Sequence, residues 1–149
     1  MKIVIQRVMK ASVIIEEKSY SSINYGLVIL LAINETDNEH DAHYLCKKIN
    51  DLRIFNDENG KLNLSQAEVN AELMVVSQFT LYADTGKGNR PSYIKAAHPV
   101  KAIPLYEYFI QHLATLTNKT VVTGLFGADM QIELINDGPV TIIMESNQI

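Results

Sequence analysis

Apolar and polar residues alternate at the start of the chain. Ile3 and Ile5 face one way and Lys2, Val4 and Gln6 the other, which predicts a strand over Lys2–Val8. Ala11–Ile15 and Ser19–Tyr25 read as further short strands on either side of a Glu16-Glu17-Lys18 turn. Gly26–Ile33 is an unbroken run of leucine and β-branched residues, as in a strand buried on both faces. The period then lengthens. Thr36-Asp37-Asn38-Glu39 fits a capping box. Behind it, Ala42, Leu45, Cys46, Ile49 and Leu52 fall at helical spacing, predicting a helix over residues 38–51 with one apolar face. Leu52–Phe55 returns to a short strand, and Asn56–Gly60 is a polar turn. Glu72–Tyr82 reads as a strand and Ala83–Asn89 as a glycine-containing loop. A second helix is predicted over residues 101–116, with Leu105, Tyr106, Phe109, Ile110, Leu113 and Leu116 as its buried stripe. Pro104 is expected in its first turn, where a missing N–H costs little. Thr120–Leu125, Met130–Asn136 and Val140–Glu145 read as three closing strands.

This order of strands and two helices predicts an α/β fold. Two helices cannot cover both faces of so many strands. The expected solution is a three-layer α/β/β arrangement: two stacked sheets with both helices on one outer face. No repeat, low-complexity tract or Pro/Gly/Ser linker interrupts the 149 residues, so a single domain over 1–149 is expected. Apolar residues make up 47% and charged residues 20%, which excludes intrinsic disorder as the reading.

Charge narrows the functional classes. The net charge of −4 argues against a protein that grips nucleic acid over its whole surface. Yet Thr85–Tyr106 carries Lys87, Arg90, Lys95 and Lys101 with no acid, while Glu35–Glu72 holds nine acids and four bases. The basic stretch is either a solvated loop and helix start or a rim beside a site that accepts a phosphodiester. Cys46 is the one cysteine, so neither an intrachain disulfide nor a cysteine zinc cluster can form. The closely spaced charges Lys2, Arg7 and Lys10 do not suit a signal peptide, and Gly26–Ile33 is too short for a membrane span. A cytoplasmic protein is expected, with no membrane partner.

The common catalytic signatures are absent: no nucleophile elbow, Walker loop, dinucleotide fingerprint or His-Glu-x-x-His occurs. His40, His43, His98 and His112 do not form a ligand pattern, and no metal is expected. Two segments stand out. Ser77-Gln78-Phe79-Thr80-Leu81 places polar residues in a strand that begins as Leu73-Met74-Val75-Val76. Asn136-Asp137-Gly138-Pro139-Val140-Thr141 reads, on local chemistry, as a hairpin turn.

Together these segments resemble the D-aminoacyl-tRNA deacylase family. The resemblance runs nearly end to end through Gln6-Arg7-Val8, Leu52-Arg53-Ile54-Phe55, Arg90-Pro91-Ser92 and Gly124-x-Phe126-Gly127-Ala128-Asp129-Met130. It implies hydrolysis of the ester joining a D-amino acid to the terminal adenosine of tRNA, with an α/β/β fold, no cofactor, and a homodimer whose active site lies at the subunit interface. Ser77, Gln78, Phe79 and Thr80 are then the catalytic segment, with the N–H groups of Phe79 and Thr80 facing the scissile carbonyl. Gly138 and Pro139, joined by a cis bond and braced by Arg7, enter the partner's site and set chiral selectivity. Phe126, Gly127, Ala128 and Met130 receive the adenosine, and Lys87 and Arg90 form a phosphate rim. Asn89 stands where the family usually has a second basic residue. No base is evident beside Thr80, so the substrate's own 2′-hydroxyl is expected to assist the attacking water. Two rival readings are a tRNA deacylase of different selectivity with a trans Gly-Pro bond, and a non-catalytic nucleic-acid-binding module on the same scaffold.

Overall fold

The computed structural model describes residues 1–146. It is a mixed α/β fold: β1 (Lys2–Ile15), β2 (Lys18–Ile23), β3 (Gly26–Ala32), α1 (Glu39–Asp51), β4 (Phe55–Asn56), β5 (Leu62–Leu64), β6 (Glu72–Ser77), a 3-10 turn (Phe79–Tyr82), α2 (Pro99–Thr117), β7 (Val121–Thr123) and β8 (Gln131–Glu145). Six strands form one sheet in the order β2-β1-β3-β6-β7, with β8 paired along β1; β4 and β5 form a second, two-stranded sheet.

β1 is a single strand rather than the two expected. Its first half pairs with β3 (Ile3↔Leu31 to Val8↔Gly26) and its second half with β2, while β8 runs along nearly its whole length. A register shift between Val8 and Lys10 lets the strand change faces. Ile3 and Ile5 therefore join one core cluster, and Val8, Ala11 and Val13 the other. β3 is buried on both faces, as its unbroken apolar run requires: Leu27, Ile29 and Leu31 pack toward the helices, and Val28 faces the second cluster. The sheet curls far enough for Ser21 of β2 to donate to the Thr123 carbonyl of β7 at 2.7 Å, so it nearly closes around that second cluster.

Both helices lie against the first cluster. The capping box of α1 is Asn38 with Asp41, not Thr36 with Glu39: His40 N–H donates to Asn38 Oδ1 at 2.9 Å, and Asn38 N–H to Asp41 Oδ2 at 2.9 Å. The shift has a cause. Asp37 turns inward and is fully buried against the amine of Met1, so the chain cannot enter the helix until Asn38. α2 begins at Pro99, two residues earlier than expected, and Pro104 lies inside it rather than in its first turn. The carbonyl left without a donor belongs to Val100, a residue 90% exposed, where water can serve it. Leu116, expected in the buried stripe, is 41% exposed, one residue before the last of α2.

Two corrections bear on the site. β6 stops at Ser77: Gln78 N–H donates to Leu31 C=O at 2.8 Å, and the chain winds into the 3-10 turn where a strand to Tyr82 was expected. Asn136–Thr141 is not a hairpin turn either. β8 continues through it, and Gln6↔Thr141 and Val8↔Asn136 show that β8 carries three more residues than β1 between those pairs. Gly138 and Pro139 sit on this bulge, opposite Arg7.

Candidate active site

The end of β6 and the loop after β7 meet around one cavity of about 290 Å3. Ser77, Gln78 and Phe79 line one side, and Phe126, Gly127, Ala128 and Met130 the other. Sequence reasoning named both segments; the fold brings them together because β6 and β7 are parallel neighbours, Leu73↔Val121 to Val75↔Thr123, so their exits open at the same sheet end. The site thus lies beyond the carboxyl ends of adjacent parallel strands, a usual place for ligands in such sheets.

On the first side, the 3-10 turn closes with Leu81 N–H donating to Gln78 C=O at 3.2 Å. The N–H groups of Phe79 and Thr80 stand ahead of that first internal bond and are left over by the turn itself. The Thr80 hydroxyl accepts from the Gln78 side-chain amide. An amide N–H cannot take a proton from a hydroxyl, so this contact orients Thr80 without activating it as a nucleophile. Phe79 is 56% exposed, with its ring held edge-on by Tyr93 at 5.1 Å.

On the second side, Phe126 meets Tyr106 edge-on at 5.5 Å, and the Tyr106 hydroxyl donates to Val75 C=O at 2.9 Å. Burial pushes the Tyr106 phenol up, so it stays a neutral donor. Tyr106 was read only as part of a helix stripe; its role as a wall of the cavity had no signal beyond a polar tip in a buried position. A Cβ on Gly124 would stand 2.6 Å from Met130 Sδ, so a larger residue there would displace the Met130 side chain from the cavity wall. Gly127 has φ +77°, the left-handed region that glycine occupies without cost.

Arg7, Gly138 and Pro139 do not line this cavity. Arg7 is 3% exposed. Its guanidinium pairs with Asp137 Oδ2 at 2.9 Å and donates to Ile54 C=O at 2.7 Å and Asn56 Oδ1 at 3.0 Å. It thereby ties the β8 bulge to the start of the small sheet. Asp137 and Ile54 lie in segments quoted from the sequence, but neither they nor Asn56 were given a role, since their part is set by long-range pairing. The Gly138–Pro139 peptide is cis, and Gly138 has φ +117°. A Cβ on Gly138 would stand 3.0 Å from Arg7 Nη2. The Tyr25 phenol is raised, mainly by burial and then by the Asp137 carboxylate beside it.

Lys87 and Arg90 are exposed and also lie outside the cavity. They ride on a loop closed by mutual N–H···O=C bonds between Asp84 and Ser92, at 2.8 and 2.9 Å. Elsewhere His43 stacks on His112 at 4.1 Å and contacts the Tyr108 hydroxyl, and among the described residues no three His, Cys, Asp or Glu side chains converge as a metal site. No helix among them is long and apolar enough to cross a membrane.

A cavity with the polar side chains of Ser77 and Gln78 on one side and an aromatic, apolar surface on the other, Thr80 lying just outside its lining, suits a planar ligand with a polar end. It is a candidate hydrolase site. The chain belongs to the D-Tyr-tRNA(Tyr) deacylase family, whose model matches residues 4–145. It is 59% identical over 143 residues to a D-aminoacyl-tRNA deacylase of Cytophaga hutchinsonii, covering 96% of this chain and 95% of that one. It is 54% identical over 148 residues to one of Akkermansia muciniphila, covering 99% of each. Among solved structures it resembles a c-Myc DNA unwinding element binding protein (TM-score 0.92, 38% identity, 97% and 98% coverage). A probable eukaryotic D-amino acid tRNA deacylase shares the fold at 13% identity (TM-score 0.85, 97% and 98% coverage).

Proposed function

We propose that this protein hydrolyses the ester of D-aminoacyl-tRNA, releasing the D-amino acid and free tRNA, as the relatives at 54–59% identity are named to do. The observation that carries the reading is the single cavity shared by Ser77–Phe79 and Phe126–Met130. The terminal adenosine lies against Phe126, Gly127, Ala128 and Met130. Its esterified ribose then reaches Ser77, Gln78, Phe79 and Thr80. The N–H groups of Phe79 and Thr80 receive the oxyanion of the tetrahedral intermediate, a contribution usually worth about 10²–10³ in rate per donor. The neighbouring ribose 2′-hydroxyl assists the attacking water, since Thr80 has only an amide against its hydroxyl. No step calls for a cofactor or metal. Lys87 and Arg90 steer the acceptor-stem phosphates, with Asn89 contributing no charge.

The enzyme is proposed to act as a homodimer with its site completed by the partner. Gly138 and Pro139 lie beside Arg7, which pairs with Leu27 of β3, whereas the catalytic turn hangs on Leu31 of the same strand. Four strand residues span about 13 Å. That separation within one chain supports delivery of Gly138 and Pro139 to the cavity from a second copy. The edge of β8 turned away from β1 has no strand partner among the described residues, and with Ile135 and Ile143 50% and 69% exposed it suits such pairing. Delivered there, the two residues form a rigid wall whose carbonyls hold the substrate ammonium and which leaves no room for an L side chain. The same proposal takes the chain as one cytoplasmic domain over 1–149. It takes the curled sheet as two layers with the helices as the third.

Release of D-tyrosine from D-tyrosyl-tRNA, compared with L-tyrosine from L-tyrosyl-tRNA, tests the reading. Turnover of the D ester alone is expected. Tight tRNA binding without turnover would favour a binding module, and equal turnover of both esters a deacylase of other selectivity.

A further inference from the structure

The loop carrying Phe126 has a second concave side. There a cavity of about 310 Å3 opens between the loop and α2, against Ile103, Glu107, Gln111 and Leu125. Phe126 and Tyr106 line both this cavity and the one described above, so they form a shared partition. The partition is held in place. Tyr106 meets Phe126 edge-on at 5.5 Å and is itself anchored by its 2.9 Å hydrogen bond to Val75 C=O.

The chemistry of the second cavity differs from that of a phosphate site. Its lining includes no lysine or arginine. Ile103 and Leu125, 37% and 47% exposed, offer apolar surface. Glu107 and Gln111 are one helical turn apart and so share a face of α2. A carboxylate beside a carboxamide matches a flat ring whose edge carries an amino donor and carbonyl-type acceptors. Cytosine is such a ring: its exocyclic amine donates to carboxylates, and its O2 and N3 accept from amides.

We propose that this cavity receives the penultimate base of the tRNA acceptor strand, the cytosine preceding the terminal adenosine, with the Phe126 ring wedged between the two bases. The assignment rests on the adenosine occupying the first cavity. Successive bases of a single strand are readily splayed around an aromatic side chain and read on their Watson–Crick edges. Continuity through Phe126 places the next base on the far side of the ring. Leu125 covers the base, Glu107 accepts from its amine, and Gln111 donates to its acceptors.

Binding of non-hydrolysable 3′-amide analogues of D-tyrosyl-adenosine tests this. One analogue ends at the adenosine, one is extended by an abasic ribose phosphate, and one by cytidine. The cytidine analogue should bind at least about tenfold more tightly than the abasic one, the worth of a single base–aromatic stack. Leu125→Ala and Glu107→Gln should each cut that gain to about threefold or less, with affinity for the adenosine analogue and the oligomeric state unchanged. No cytidine gain in the wild type would overturn the proposal. So would a gain that survives both substitutions, or a changed oligomeric state in Leu125→Ala, which would make the cavity a subunit contact. If the adenosine analogue itself fails to bind, the reading of the first cavity falls together with this one; if it binds and cytidine adds nothing, only the second assignment falls.

Discussion

Gly138 is confined by its surroundings from two directions. Its φ of +117° lies where L side chains rarely go, and a Cβ would press on the Arg7 guanidinium at 3.0 Å. Gly138→Ala should therefore lose about 1–3 kcal/mol of stability and most activity, read as a lower Tm and a lower kcat/KM. For the catalytic turn, the account places the useful groups on the main chain. Thr80→Ala should keep most of its rate, because the N–H survives. Phe79→Pro removes one N–H, and Gln78 before it lies outside the helical region (φ −145°, ψ 73°), the region a following proline disfavours most. Phe79→Ala loses the same ring and keeps the N–H. Phe79→Pro should fall below Phe79→Ala by about 10²–10³ in kcat. Equal rates for the two variants would remove Phe79 N–H from the mechanism. A 2′-deoxy terminal ribose, esterified on its 3′-oxygen, should slow hydrolysis far more than Thr80→Ala does.

At the scale of elements, the legible parts were those decided locally. The β3 run declares itself through unbroken apolar sequence and the α1 stripe through its period; both fold as read, except that Leu52 falls at the extended C-cap of α1 rather than on its buried face. Where two local solutions compete, a distant contact decides. Thr36-Asp37-Asn38-Glu39 has a capping-box pattern, yet the burial of Asp37 against the Met1 amine defers the helix start to Asn38. Glycine and proline serve turns and bulges equally well, and only the pairing of β8 along β1 makes Asp137–Val140 a bulge. Ser77-Gln78-Phe79-Thr80 stood out as a candidate site by its motif. That β6 ends there follows from the Gln78–Leu31 hydrogen bond, which no local pattern signals. The packing of α1 also carries a test. Cys46 is wholly buried beneath α2, its thiol within 3.6 Å of Phe109 C=O, and burial pushes that thiol up to about 12. At pH 8 only about one thiol in ten thousand is ionised in the folded state, and none of it is accessible. Iodoacetamide should leave the native protein unmodified and label it only as fast as α1 opens, with urea accelerating the reaction. Rapid native labelling would contradict the packing of these helices.

The whole molecule must reconcile a net charge of −4 with an RNA substrate. It does so by segregation, with Lys87, Arg90, Lys95 and Lys101 grouped in one acid-free stretch of chain. The proposed second copy has a direct consequence. A Pro139 variant and a Phe79→Pro variant, each inactive, should regain part of the activity when their subunits are mixed, since one heterodimer site then holds an intact turn and an intact wall. Mixtures that never recover activity would place both motifs in one chain's site. The central claim is that chirality is read by excluding an L side chain rather than by grasping a D one. Glycine has hydrogen at both positions, so it meets no wall, and it loses only side-chain burial. The most direct measurement is a set of parallel time courses on glycyl-, D-alanyl- and L-alanyl-tRNA at one enzyme concentration. The account predicts that glycyl- and D-alanyl-tRNA are both cleaved while L-alanyl-tRNA is spared; glycyl-tRNA as resistant as L-alanyl-tRNA would contradict it.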